Sequence, residues 1–218
     1  LKDVPGFKDV YLKNGKIPNV GDRLFCPKLS STFSSLIKNG LDDFYSGEVL
    51  SNIISDLEHF GSPLNSDDFK NYKATFVDPL ELKIKDAKLF NLPPPTQGLA
   101  SILILGVLDE LSINCKKDVE LIHLIVEVTK AVFRIRDKHI SDPRYMSVNV
   151  NDFIKKDFIK KLAKQIDFEK AAPWPSSSSG GDTVWLGATD SNGNTVSFIQ
   201  SIYWEFGSGL ILPNTGIT

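Results

Sequence analysis

The stretch Gly181-Asp182-Thr183-Val184-Trp185-Leu186-Gly187-Ala188-Thr189-Asp190-Ser191-Asn192-Gly193-Asn194-Thr195-Val196-Ser197 decides how the chain is read. Val184, Leu186 and Ala188 alternate with Trp185 and Thr189, the period-two pattern of a strand. Asn192-Gly193 between alternating runs is the strongest short-range signal for a two-residue hairpin loop. With that loop, Ser191 faces Asn194, the return strand runs from Thr195 to Tyr203, and Thr183 lies near Ser201, Ile202 and Tyr203. A bulge would shift this register by one residue.

Immediately before the strand, the junction Ala171-Ala172-Pro173-Trp174-Pro175-Ser176-Ser177-Ser178-Ser179-Gly180-Gly181 has the composition of a flexible, solvated linker. It also separates two compositional regimes. All 25 Lys and Arg residues precede Pro173, and all 3 Trp residues follow it. Three segments result: residues 1–172, mostly helical; a linker over 173–182; and a strand region over 183–218. After the hairpin, Leu210 to Thr218 reads as a strand, a turn and the start of a further element. The chain reads as an interior piece of a longer protein.

The first region carries helical periodicity. Leu29, Thr32, Phe33, Leu36 and Ile37 recur at three- and four-residue spacing, with Gly40 as the stop. Val49, Leu50, Ile53, Ile54 and Leu57 repeat the pattern between Ser46, a candidate N-cap, and Gly61. Leu80, Leu82 and Ile84 read as a strand with Ala87, Leu89 and Asn91 returning. Pro93-Pro94-Pro95-Thr96-Gln97-Gly98 then forces a turn before an apolar helix from about Leu99 to Leu111. Helices from Asp118 to Ile140 and from Asp152 to Ile166 complete this part, and the fold class is α+β. Asp67-Asp68 after Ser66 reads as a helix N-terminus rather than a pair of catalytic carboxylates.

Composition narrows the chemistry. The chain has 218 residues, 41% hydrophobic and 24% charged, with a formal net charge of −2. That balance gives no electrostatic footprint for nucleic acid, and no apolar run is long enough to span a membrane. Three histidines without metal-ligand spacing give no zinc signature, and Cys26 and Cys115 allow at most one bridge. His59, His123 and His139 lack a Gly-x-Ser-x-Gly partner and read as surface or core histidines. Lys155, Lys156, Lys160, Lys161 and Lys164 form a solvated helix face.

Thr183 is the exception. A threonine hydroxyl is a weak nucleophile until a base stands beside it, and the α-amine of an N-terminal threonine is such a base. Its ordinary pKa of about 8 suits proton transfer near neutrality. The amine becomes free if the hydroxyl attacks the carbonyl of Asp182 and the resulting ester is hydrolysed.

The Gly181–Ser197 segment resembles the processing and nucleophile segment of the gamma-glutamyltranspeptidases. Phe206-Gly207-Ser208-Gly209 and Pro213-Asn214-Thr215-Gly216-Ile217 look like the family's following stretch. Upstream, Asn14-Gly15-Lys16-Ile17-Pro18 with Gly21-Asp22, Asp43-Phe44-Tyr45-Ser46-Gly47-Glu48, the Pro93–Gly98 turn, and Arg136 with Asp142-Pro143 resemble the second half of its large subunit. The resemblance implies an N-terminal nucleophile hydrolase with an αββα sandwich, of which the hairpin is part of the central sheet. It implies a precursor cut between Asp182 and Thr183, with large and small fragments remaining associated. Thr183 would then take a gamma-glutamyl group from a glutathione-like amide and pass it to water or an amino acid, with no cofactor and no metal.

Ser201 and Tyr203 are the substrate-binding candidates so implied. Two positions depart from the pattern. Val184 stands where a second threonine usually supports the nucleophile. Tyr203 stands where an asparagine holds the glutamyl amine, and one phenol cannot replace an amide's donors and acceptor. These departures resemble the transpeptidase-like branch that includes cephalosporin acylases. They leave open a related amidohydrolase acting on glutaryl-type amides, or a homologue that binds without processing. The family's carboxylate-binding arginine falls upstream of Leu1, and its oxyanion donors fall downstream of Thr218, so the isolated chain is expected to be inactive. The resemblance implies a periplasmic or extracellular protein, with the cytoplasm as the alternative.

Overall fold

Chain order runs through α1 (Phe7–Tyr11), α2 (Pro27–Asn39), α3 (Asp43–Ser46), α4 (Glu48–His59) and α5 (Ser66–Lys70) to an antiparallel pair, β1 (Leu80–Lys83) and β2 (Lys88–Asn91). It continues through α6 (Gly98–Glu110), α7 (Asp118–His139) and α8 (Lys156–Ala163) to a second pair, β3 (Val184–Thr189) and β4 (Thr195–Gln200). The computed structural model describes residues 1–113, 115, 117–174, 184–202 and 205–218. The fold is α+β, and among the described residues it contains two separate two-stranded sheets. Contacts divide the chain into two units, Thr75–Ser177 and Leu1–Ala74 with Ser178–Thr218.

In the Thr75–Ser177 unit, α6 is the centre. Leu99, Ile102, Leu103 and Val107 are almost wholly buried, Ala100 and Gly106 are buried on other sides, and the helix has no polar stripe. A helix this apolar is built for the interior, and α7, α8, β1 and β2 pack against it, leaving Ser101 and Leu105 exposed. Leu80 and Leu82 supply the inward side of β1. From α7, Leu124, Val128 and Val132 follow at four-residue spacing, and α8 adds Ile159, Leu162 and Ala163. The α8 lysines occupy its solvated side, as their spacing implies. The helix expected from Asp152 to Ile166 is broken, however. Asn149 accepts a hydrogen bond from Asn151 N–H and caps a separate 3-10 turn at Val150–Asp152, and extended Lys155 intervenes before α8.

In the other unit, α2 stops at Gly40, whose φ of 93° suits only glycine. Its expected apolar face is only partly covered: Leu29 and Leu36 are half-buried, Phe33 and Ile37 are exposed, and Thr32 is buried. Ser46 does not cap α4. It ends α3, and Asp43 takes the capping role, its Oδ1 accepting Glu48 N–H at 2.8 Å. A Cβ on residue 47 would lie 1.7 Å from that carboxylate oxygen, which is why glycine stands there. At the other end of α4, Gly61 N–H bonds Glu58 and Ser62 N–H bonds Leu57, the paired bonds of a Schellman stop. Asn65 and Asp68 form a capping box at α5, so Asp67-Asp68 is a helix start as read from the sequence.

Candidate functional site

The β3–β4 hairpin is built as the alternation predicts, but in a different register. Val184 pairs with Gln200, Leu186 with Phe198 and Thr189 with Thr195, one residue away from the register expected for a two-residue Asn-Gly loop. Asp190 is the cause. Gly193 N–H donates to Asp190 O at 3.1 Å, and Gly193 takes φ 83°, giving a type I turn closed by a left-handed glycine. Asp190 Oδ1 accepts the N–H groups of Asn192 and Asn194 at 2.9 Å each, and Oδ2 accepts Asn194 Nδ2 at 2.8 Å. Asn194's side-chain amide, then the backbone N–H donors, hold the Asp190 carboxyl below the usual carboxylate range. The return strand ends at Gln200 rather than Tyr203.

The register sorts the side chains into two faces. Val184, Leu186, Ala188, Val196 and Phe198 share one. Trp185, Thr189, Thr195, Ser197 and Ile199 share the other, where Trp185 Nε1 donates to Ser197 Oγ at 2.9 Å. Both faces are exposed along their whole length. The first face is apolar except for Gln200, the second joins Trp185 and Ile199 to three hydroxyl side chains, and a two-stranded hairpin this exposed needs further strands or a covering layer for stability.

Thr183, Asp182 and Tyr203 lie outside the described residues. Val184, which follows Thr183 in the chain, is the first residue of β3. Ser201 directly follows β4 and is exposed. The described part of the site is therefore the strand behind the candidate nucleophile and the loop that sets its pairing.

Sequence reasoning missed how residues 205–218 are held. Leu210 to Leu212 lie outside any strand. Instead Ile211 N–H donates to Pro5 O at 3.1 Å, and Leu212 and Gly216 close a turn through Ile217 and Leu212 carbonyls. Leu212 is buried against Val49 and Ile53 of α4. Asn214 donates to buried Asp56 twice, from N–H at 2.9 Å and from Nδ2 at 2.7 Å. Thr32 Oγ1 donates to Thr215 O at 2.8 Å, and Thr215 is 1% exposed. Phe206 packs edge-on against Phe7 and Tyr11. The one sequence signal for this pinning was polar: Thr32 and Asp56 lie on helical faces that otherwise read as apolar.

The remaining motif residues perform local structural tasks. Asp22 accepts Asn19 N–H at 2.8 Å and pairs with Lys13. Arg136 donates to Gln97 in the Pro-rich turn at 2.9 Å, and Asp142 is paired with Arg144. His59 and His139 end α4 and α7, and His123 Nε2 meets Asp167 O at 2.9 Å. Among the described residues, no group of three or more His, Cys, Asp or Glu side chains is arranged to hold a metal ion. No described helix is long and apolar enough to cross a membrane.

This α+β fold is related to that of the N-terminal nucleophile hydrolases. It matches the crystal structure of Helicobacter pylori gamma-glutamyltranspeptidase with a TM-score of 0.66 and 25% identity, over 76% of this chain and 48% of that one. A family model described as gamma-glutamyltranspeptidase matches residues 1–218, and the chain belongs to that family. It is 42% identical over 217 residues to the oxamate amidohydrolase proenzyme of Klebsiella pneumoniae, covering 100% of this chain and 41% of that protein. It is 31% identical over 219 residues to the glutathione hydrolase-like YwrD proenzyme of Bacillus subtilis, covering 100% of this chain and 42% of that protein. The chain thus spans about two fifths of the length of these curated relatives.

Proposed function

We infer that the protein containing this chain is a self-cleaving precursor of an amide-hydrolysing enzyme, with Thr183 as its nucleophile. The Thr183 hydroxyl adds to the Asp182 carbonyl, the amide nitrogen leaves as the new α-amine, and water hydrolyses the ester to give the Asp182 carboxylate. The freed amine then serves as base for the same hydroxyl in turnover. Attack on a substrate amide gives an acyl-Thr183 ester and releases the amine. Water, or an amino acid in transfer, takes the acyl group.

The observation carrying this reading is the whole-length family match, with Thr183 immediately before a hairpin strand that is apolar on one face and mixed on the other. That hairpin supports an αββα sandwich, with β3 and β4 inside a larger central sheet. Residues 1–172 then belong to the large fragment, 173–182 to the processing linker and 183–218 to the small fragment. The Asp56–Asn214 and Thr32–Thr215 bonds support lasting association of the two, because each joins residues on opposite sides of the cut.

A gamma-glutamyl amide is the acyl donor suggested by the family. A smaller one, an α-carboxy amide such as oxamate, is favoured by the 42% identity to a protein named for that substrate. Tyr203, in place of an amine-binding asparagine, agrees with a donor lacking the glutamyl amine. Full-length wild type run on a denaturing gel should give two fragments, the smaller beginning at Thr183, and Thr183→Ala should stay whole. A wild-type protein that turns over substrate while remaining one intact chain would overturn the mechanism. Ammonia release from oxamate, measured beside cleavage of gamma-glutamyl and glutaryl anilides, decides the acyl group.

A further inference from the structure

Nine to eleven residues upstream of Thr183, at Ala172–Trp174, the chain is gripped by one stripe of α7. Glu127, Lys130 and Arg134 lie three and four residues apart on the helix and face one side. Glu127 Oε2 accepts Ala172 N–H at 2.9 Å, and Lys130 Nζ donates to Ala172 O at 2.6 Å. Lys130 also pairs with Glu127 at 2.5 Å, with both side chains buried or nearly so. Arg134 donates to Pro173 O, and its guanidinium stands 6.0 Å from the Trp174 ring centroid. Successive side chains along the helix thus hold successive residues of the chain.

Burial alone would push the Glu127 carboxyl up. The hydrogen bonds from Lys130 and Ala172, with the charges of Lys130 and His123, outweigh it and hold the group below the ordinary range. A buried ion pair is a poor device for stability alone, since two apolar residues of the same size often do as well or better. Its use here is geometric. One carboxylate and one ammonium take the N–H and the carbonyl of the same residue, so they fix the backbone at position 172 whatever its side chain. Pro173 has no N–H to compete. From Trp174 onward, the covalent reach to Thr183 is at most about 30 Å.

We propose that Glu127, Lys130 and Arg134 form a clamp that anchors the upstream end of the processing linker at Ala172–Trp174 and so positions the Asp182–Thr183 bond for attack. The proposal rests on the self-cleavage reading above and assigns three positioning residues to that reaction. Misplacement of reacting atoms by an ångström can cost up to about a hundredfold in rate. Loosening one anchor of a tether should cost less, so Glu127→Gln and Lys130→Met are each expected to slow first-order cleavage about tenfold. Lys130→Arg, which keeps a cation at the same carbonyl, should retain most of the rate.

The test uses the full-length precursor. Fragment appearance is timed for wild type, the clamp variants and Thr183→Ala, and amide exchange is followed in a Thr183→Ala background. Glu127→Gln and Lys130→Met should expose the Ala172 amide at least tenfold while the amides of Leu103 and Val128 keep their protection. Slowed cleavage with that local signature, rescued by Lys130→Arg, supports the clamp. Unchanged cleavage with a freed Ala172 amide overturns it, as does an Ala172 amide unprotected in the parent precursor. Loss of protection throughout the α6–α7 core would show that the stripe serves folding, which also overturns it. Wild type that stays uncut like Thr183→Ala defeats self-cleavage itself, and the positioning role with it. That result is distinguishable from the others because no variant then differs in rate.

Discussion

Replacing Asp56 by alanine tests whether the two fragments are held together by buried polar contacts. Asp56 is 4% exposed and receives both Asn214 donors at 2.9 and 2.7 Å. Hydrogen bonds to a charged partner are worth about 1.5–3 kcal/mol each, so removing the acceptor puts about 3–6 kcal/mol at stake. Asn214 itself is exposed, and its freed donors can turn to water, which brings the expected loss down to about 2–4 kcal/mol. Leu212 against Val49 and Ile53 remains in place and holds the segment near its site.

The assay immobilises the cleaved full-length protein by its large fragment and measures release of the small fragment with rising urea. At about 2 kcal/mol per molar, a typical slope, the midpoint should fall by about 1–2 M. Asp56→Asn keeps one acceptor and should lose about half as much. Exchange at the Asn214 amide in the Thr183→Ala precursor reports the same contact without scission. A midpoint within about 0.3 M of wild type for Asp56→Ala, with Asn214 still protected, would refute the reasoning.

Gly216 has φ 70°, and a Cβ there would lie 2.5 Å from Leu29 N, so Gly216→Ala should cost about 2–4 kcal/mol by urea unfolding. Gly193 has φ 83° but open space around it, and Gly193→Ala should cost only about 1–2 kcal/mol. In α6, Gly106→Ala gains about 1 kcal/mol of helix propensity but pushes on Leu82 Cδ2 at 2.6 Å. Overpacking at about 1–3 kcal/mol wins, and the thermal midpoint should fall. The Asp190 carboxyl titrates below the ordinary range, so its loop contacts are complete at neutral pH and fade as pH drops through that lowered value. Amide shifts of Asn192 and Asn194 should follow with a midpoint below about 4, and Asp190→Asn should abolish the transition.

Periodicity exposed most of the elements because burial and spacing are coupled wherever a helix or strand meets a core. α6 is legible as a continuous apolar run and the β3–β4 hairpin by its alternation and turn residues, while α4, α7 and β1 follow that rule. It fails where the chain resolves its own polar groups. Asp190 satisfies three donors and so selects a longer turn than Asn-Gly alone implies, moving every β4 residue one place along β3. Asp43 caps α4 from five residues away, across a glycine that leaves it room, and Ser46 is displaced from the task. Glu127 and Lys130 look like an ordinary surface pair at i, i+3, because no pattern in the sequence announces that Ala172 returns to meet them. The proposal for Thr183 rests on the residues that precede and follow it in sequence, since Thr183 lies outside the described residues.

The contacts on the two sides of the proposed cut differ in kind, and the difference suits a chain that is severed between them. Upstream, α7 holds main-chain groups of Ala172 and Pro173 with charged side chains. Downstream, residues 205–218 are held by burial of Ile211 and Leu212 and by side chains of Asp56 and Thr32 that reach the 214–215 turn. Upstream the hydrogen bonds act alone, with none of residues 171–174 buried, whereas downstream the Asp56 and Thr32 bonds are joined by buried Ile211 and Leu212. Apolar burial supplies attachment without needing an intact covalent link. If scission removes the need for position and leaves the need for attachment, the upstream clamp becomes dispensable after cleavage and the downstream pins do not. Glu127→Gln should then slow maturation without releasing the small fragment, whereas Asp56→Ala should leave maturation running and weaken retention. The opposite pairing of defects would contradict this division of labour.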